Sequence, residues 1–297
     1  MIRRLLGRAS LVVAAAAMAA CSGGSGAGED VSQTQSAALS ESAPPYLALG
    51  DSIAFGDDGY ISWTDPSRAN AANFVGYPFE VAKTLYGSTS QVYDLACPGE
   101  TTGSFLSATA ADNGCREYKG ENPLHESYAG TQMTAALAYL AANPRTRLVT
   151  LTLGGNDLLL AEYACDAASN FDECVVEAIP GVVATATANV AAIIGGLRGA
   201  GYSGDIVYLT QYATSYTDVT QLAAIPLFNT AVGAAVIANG GKVASGFDTF
   251  AAASVLHDGD PCAAGLLIPN PDGTATCDKH PSVEGRNLLA DAVLLAP

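Results

Sequence analysis

Apolar positions along the chain fall into short strand-like runs separated by longer segments of helical spacing. The runs occupy Tyr46 to Gly50, Gln91 to Ala96, Leu148 to Gly154, Asp205 to Thr210 and Lys242 to Phe247. Helices are predicted near Ala72 to Leu85, Gln132 to Ala142, Val175 to Leu197, Leu222 to Ala238 and Val283 to Leu295. Alternating strands and helices imply a parallel sheet, because parallel neighbours cannot be joined by a tight turn and need a crossover. Alanine dominates several of the helix candidates. It favours helix but offers little side chain to pack, so their buried faces are weakly defined.

Ahead of the first strand the pattern changes. Arg3, Arg4 and Arg8 precede an apolar run from Leu11 to Ala20, the arrangement of an export signal over residues 1–20. That run is well short of the roughly 20 residues of a spanning helix, and no later stretch reads as a membrane span. Residues 21–45, rich in Gly, Ser, Ala and Gln, read as a flexible tether, which leaves 46–297 as one folded domain. Met18-Ala19-Ala20-Cys21 resembles the lipobox of bacterial lipoproteins, in which the cysteine thiol is acylated and anchors the chain to a membrane. Met18 departs from that pattern, and the plain alternative is an ordinary small-residue cleavage site beside an incidental cysteine.

With 49% hydrophobic and 14% charged residues, the 297-residue chain can bury a sizeable core. Of its seven cysteines, setting Cys21 aside leaves Cys97, Cys115, Cys165, Cys174, Cys262 and Cys277, an even set suited to disulfides in an oxidising, extracytoplasmic compartment. Pairing of neighbours, 97 with 115, 165 with 174 and 262 with 277, is the simplest of the connectivities open to such a set. The formal charge of -16 would repel phosphate backbones and anionic membranes, so nucleic acid is not an expected partner.

Candidate chemistry gathers where strands end. The first strand runs into Gly50-Asp51-Ser52, placing a hydroxyl at its carboxyl end; taken alone, Ser52 could equally be a helix N-cap. The second leads to Cys97-Pro98-Gly99, where a glycine lets backbone N–H groups approach a ligand, and the third to Gly154-Gly155-Asn156-Asp157, which sets an amide on the same rim. Each of these also has a plain reading as a turn. Near the C-terminus Asp278-Lys279-His280-Pro281 supplies a candidate base. The other two histidines, His125 and His257, read as loop or structural residues.

Ser, Gly, Asn and His delivered in that order by four junctions resemble the SGNH hydrolase family, also called GDSL-like, over about Tyr46 to Leu295. The six cysteines are similar to those of its secreted, disulfide-bearing esterase and lipase branch. The resemblance implies a three-layer αβα sandwich around a mostly parallel, flavodoxin-like sheet of about five strands. It implies Ser52 as nucleophile, His280 as base, and an oxyanion hole from the Ser52 and Gly99 backbone N–H groups and the Asn156 side chain. The family's D-x-x-H spacing is broken, because Cys277 stands three before His280. Asp278, two before it, or a backbone carbonyl is left to orient the imidazole. No G-x-S-x-G elbow, G-x-G-x-x-G, Walker loop or H-E-x-x-H is present, so no cofactor and no metal are expected. The reading is therefore a monomeric, exported esterase or lipase acting on small-molecule or lipid esters. The alternatives are a carbohydrate acetyl esterase acting on extracellular polysaccharide and a non-catalytic surface-binding lipoprotein.

Overall fold

The computed structural model describes residues 44–296. The export signal read at residues 1–20, Cys21, and all but the last two positions of the tether 21–45 lie outside the described residues.

Five parallel strands form the central sheet: β1 (Tyr46–Gly50), β2 (Val92–Asp94), β3 (Leu148–Thr152), β4 (Asp205–Leu209) and β5 (Lys242–Ala244), in the order β2-β1-β3-β4-β5. This is the flavodoxin-like doubly wound order, and β1 pairs with β3 in register from Tyr46 opposite Leu148 to Gly50 opposite Thr152. Both faces are covered, so the strands carry apolar residues at every phase of the pleat instead of alternating with polar ones. Leu47, Leu49, Val149, Leu151, Ile206 and Tyr208 point into one core, packed under α5 (Gln132–Ala142), α7 (Phe171–Gly199) and α8 (Val219–Ala238). Tyr46, Ala48, Val207 and Leu209 point into the other, beneath α2 (Tyr77–Tyr86), α9 (Gly246–Ser254) and α10 (Val283–Leu294). The expected three-layer sandwich is thus observed.

The strands and long helices follow the apolar pattern, and their ends follow capping. Asp218 accepts from Thr220 N–H at 2.8 Å and Gln221 N–H at 3.0 Å, so α8 starts three residues before the predicted Leu222. Strand β5 stops at Ala244, short of the predicted Phe247, because the Ser245 hydroxyl accepts from Asp248 N–H at 3.0 Å and starts α9. The helix predicted from Ala72 begins only at Tyr77, with Gly76 at its N-cap and Pro78 in its first turn. Helices α7 and α8 are long and apolar enough to cross a membrane, which the sequence reading did not credit. In the fold each lays one face on the sheet, through Ile193, Ile194 and Leu197 and through Phe228, Val232 and Val236.

Outside the main sheet, β6 (Leu267–Pro269) and β7 (Cys277–Pro281) form an antiparallel pair that carries His280. The disulfides join Cys97 to Cys115, Cys165 to Cys174 and Cys262 to Cys277, each closing a loop between elements.

A cost of the buried sheet is visible at the end of β2. Burial pushes the Asp94 carboxyl up to about 8 against the opposing N–H bond from Ala96, and its Oδ2 has no partner among the described residues. Burial penalises the ionised form more than the protonated one, so this group's contribution to stability is greatest below the unfolded value of 3.8 and declines as pH rises through about 8. Asp94→Asn should flatten that decline and be more stable than the parent at pH 9, measured by urea unfolding at a series of pH values. An unchanged pH slope would show that Asp94 is not the group responsible.

Candidate active site

The carboxyl ends of the strands form one rim, and the loops that leave it converge on a cavity of about 230 Å³. After β1 the chain turns at Gly50, whose φ of 142° and lack of a side chain allow the approach to Thr152; a Cβ there would collide with the Thr152 carbonyl. Asp51 then caps the short helix α1 (Ser52–Phe55) by accepting from Ile53 N–H at 3.0 Å, which places Ser52 at the first helical position facing the cavity. Burial pushes the Asp51 carboxyl up to about 7, against the opposing Ile53 N–H bond and the nearby charge of His280.

Strand β7 presents His280 to the same cavity, 5% exposed. Its Nδ1 meets Asp278 Oδ1, and the same carboxylate oxygen accepts from the His280 backbone N–H at 2.9 Å. Two residues of separation therefore suffice, because the carboxylate folds back on its own strand. Burial raises the Asp278 carboxyl, but the hydrogen bonds and charge of His280 outweigh it and hold it at about 2. The Asp278 carboxylate's own contribution to stability is present above the unfolded value of 3.8 and is lost as pH falls toward about 2. Gly59 leaves the room that carboxylate occupies, since any Cβ there would collide with it. The Tyr212 hydroxyl donates to the Lys279 carbonyl at 2.7 Å, fixing the strand from the side of β4.

From β3 the chain enters α6 (Gly155–Cys165), and Asn156 in its first turn reaches the cavity, 5% exposed. Asn156 Nδ2 donates to the Glu100 carbonyl at 3.0 Å, and its Oδ1 accepts from Asn113 Nδ2 at 2.8 Å. Its neighbour Asp157 accepts from the backbone N–H of Thr102 at 2.9 Å and from its hydroxyl at 2.6 Å, tying α6 to α3 (Thr102–Leu106). Gly99 lies one residue from the Asn156 anchor with φ of 82°, and its N–H makes no hydrogen bond among the described residues.

Behind these loops, Gln132 is fully buried at the start of α5. Its Oε1 accepts from Gly50 N–H at 2.6 Å, and its Nε2 donates to the Gly50 carbonyl at 2.9 Å and to the Glu100 carboxylate at 3.1 Å. One amide thus joins the turn before Ser52 to the loop after Gly99. Burial raises the Glu100 carboxyl, while the Ser104 hydroxyl and Gln132 support its charged form. Gln132 and Asn113 escaped the sequence reading, since neither lies in a motif and each acts only through chain partners distant in sequence.

The structure brings Ser52, Asn156 and His280 to one cavity, seats Asp278 behind His280, and sets Gly99 one residue from the carbonyl that holds Asn156. His125 stands outside, its ring tilted between those of Phe55 and Phe79 and its Nε2 3.0 Å from the Phe55 carbonyl, a structural position. Among the described residues, the one group close enough to bind a metal is Cys97, Glu100 and Cys115. Both sulfurs are committed to a disulfide, so the set offers no thiolate.

The profile of the GDSL-like lipase/acylhydrolase family matches residues 46–293. A search among curated protein sequences finds no match. Similar solved structures include a chain described as a GDSL-like lipase from Parabacteroides merdae, 17% identical with a TM-score of 0.50, covering 84% of this chain and 93% of that one. A lipase from a goat rumen metagenome is 16% identical with a TM-score of 0.50, covering 84% and 95%. A phospholipase A1 from Streptomyces albidoflavus is 18% identical with a TM-score of 0.49, covering 84% and 98%. At these identities the likeness of the first two speaks to the fold alone. The family match runs from the first residue of β1 into the last helix, and the chain belongs to the GDSL-like lipase/acylhydrolase family of ester hydrolases.

Proposed function

We propose that this protein is an exported serine esterase or lipase that hydrolyses carboxylic esters through an acyl intermediate on Ser52. The observation that carries the reading is that Ser52, Asn156 and His280 line one cavity while Asp278 occupies the far ring nitrogen of His280. With Nδ1–H donated to Asp278, the lone pair of Nε2 is free to take the Ser52 proton, and the Ser52 oxygen attacks the ester carbonyl. Negative charge develops on the carbonyl oxygen, where the N–H groups of Ser52 and Gly99 and the Asn156 amide serve as donors. The imidazolium then protonates the departing alcohol, and water activated by the same imidazole releases the acid.

The cavity walls favour an acyl chain over an acetyl group. Ile53, Leu158, Leu159, Val175, Ile179, Ala224 and Ile225 give a mainly apolar lining between α6, α7 and α8. The three disulfides support an extracytoplasmic location. Release into the medium or anchoring through an acylated Cys21 is decided by the fate of that cysteine, read by mass spectrometry of the mature N-terminus.

A fluorophosphonate probe should label the wild type and leave Ser52→Ala unlabelled, with ester hydrolysis lost in the same variant. A well-folded wild type that takes no label would favour the non-catalytic binding lipoprotein. Asp278→Ala should lower kcat by up to about 10⁴-fold, the cost of losing a triad carboxylate; near-full activity would instead assign the orienting role to a backbone carbonyl. Across p-nitrophenyl esters of increasing chain length, kcat/KM should rise by up to about fourfold per methylene until the cavity is filled, from about 0.8 kcal/mol per buried CH₂. A maximum at acetate, together with release of acetate from acetylated glycans, would favour the carbohydrate esterase.

A further inference from the structure

We propose that Asn113 is a positioning residue for the oxyanion hole, a single side chain and peptide that hold both non-serine donors in place. The proposal rests on the reading of Gly99 and Asn156 as those donors. Asn113 touches each of them through a different group. Its backbone N–H donates to the Gly99 carbonyl at 2.8 Å, and its side-chain Nδ2 donates to Asn156 Oδ1 at 2.8 Å.

The side-chain contact decides which end of the Asn156 amide faces the substrate. The Glu100 carbonyl can only accept, so the Asn156 atom 3.0 Å from it is the nitrogen. The Asn156 oxygen therefore faces Asn113, and the Asn113 atom opposite it must be a donor. Of the two hydrogens on Asn156 Nδ2, one is taken by Glu100 and the other is left for the carbonyl oxygen of an ester. A rotation of that amide by half a turn would set an acceptor where negative charge develops. Asn113 makes the rotation unfavourable from one side and Glu100 from the other.

The backbone contact works on Gly99. The Asn113 carbonyl lies so close to the Gly99 α-carbon that a side chain there could not be accommodated, and Gly99 sits at φ of 82°. Asn113 is itself well anchored. The next residue, Gly114, packs under the Trp63 ring, and Cys115 is bonded to Cys97. Cys97 N–H in turn donates to the Gly50 carbonyl at 3.0 Å. The Thr101 hydroxyl donates to the Ala111 carbonyl at 2.7 Å on the other side of the loop. A residue held so firmly can impose its geometry on the two donors.

The test uses Asn113→Asp, nearly isosteric, and Asn113→Ala, with kcat expressed per serine titrated by the fluorophosphonate probe so that only folded sites are counted. In Asn113→Asp the new carboxylate has no donor for Asn156 Oδ1, and turning the Asn156 amide to meet it breaks the bond to Glu100. The expected result is a fall in kcat per titrated serine of about 10- to 100-fold with KM changed by less than about threefold. Affinity for a boronic acid that forms a tetrahedral adduct with Ser52 should fall alongside kcat/KM, whereas a purely structural role would reduce the number of titratable serines and leave both unchanged. Wild-type kcat per titrated serine in both variants, with active wild type, would overturn the assignment of Asn113 alone. A wild type that neither labels nor turns over would instead remove the reading of the site on which it rests.

Discussion

The close approach of two strand ends, made by omission of one side chain, underlies the site. Gly50 lies against the Thr152 carbonyl where any Cβ would collide, and Gln132 grips both the N–H and the carbonyl of Gly50 from the opposite side. Strands in a parallel sheet finish with unpaired peptide groups at their carboxyl edge, and buried peptide groups must find partners. Here one buried amide partners the Gly50 N–H, shares the Gly50 carbonyl with the Cys97 N–H, and also reaches the Glu100 carboxylate. Turning the chain sharply into α1 and holding the neighbouring loop are thus consequences of one hydrogen-bonding requirement. Ser52 inherits its position from backbone satisfaction two residues earlier.

The polar groups behind the cavity form two chains that meet at the loop after β2. One runs from Gly50 through Gln132 to the Glu100 side chain, and the other from Asn113 through Asn156 to the Glu100 carbonyl. Networks of this kind are stiff when every member is satisfied, and stiffness is what a preorganised charge-stabilising pocket needs. The proposed base is held differently. His280 sits on a two-stranded ribbon outside the main sheet, held by its own strand's Asp278, the Tyr212 hydroxyl and the Cys262–Cys277 bond.

The main sheet was legible because its central strands β1, β3 and β4 are buried on both faces and their apolar runs stand out whatever lies beside them. Leu47 and Tyr46 serve opposite cores, yet both are apolar. Less visible were the elements whose starts look like turns: α6 opens on Gly155 after Gly154, and α9 on Gly246, so glycine that permits a tight entry into a helix reads as glycine in a loop. The β6–β7 pair was hidden because its register is irregular and its residues are mixed in character. For the site, the residues that face the cavity announced themselves by position after strands. The orientation of His280 by Asp278 could not be read from spacing, because it depends on the carboxylate bending back along a strand that the pattern did not reveal. Gln132 and Asn113 carried no signal, since an amide in a helix start or a loop is chemically anonymous until its partners are known.

The bond between Cys97 and Cys115 closes the loop that carries Gly99, Glu100 and Asn113. Hydrogen bonds and the packing of Gly114 under Trp63 also hold that stretch, while the Ser52 turn and the His280 ribbon rely on other anchors. One covalent bond thus fixes the span of chain on which both the Gly99 turn and the Asn156 contacts depend, a restraint that hydrogen bonds alone would leave free to stretch.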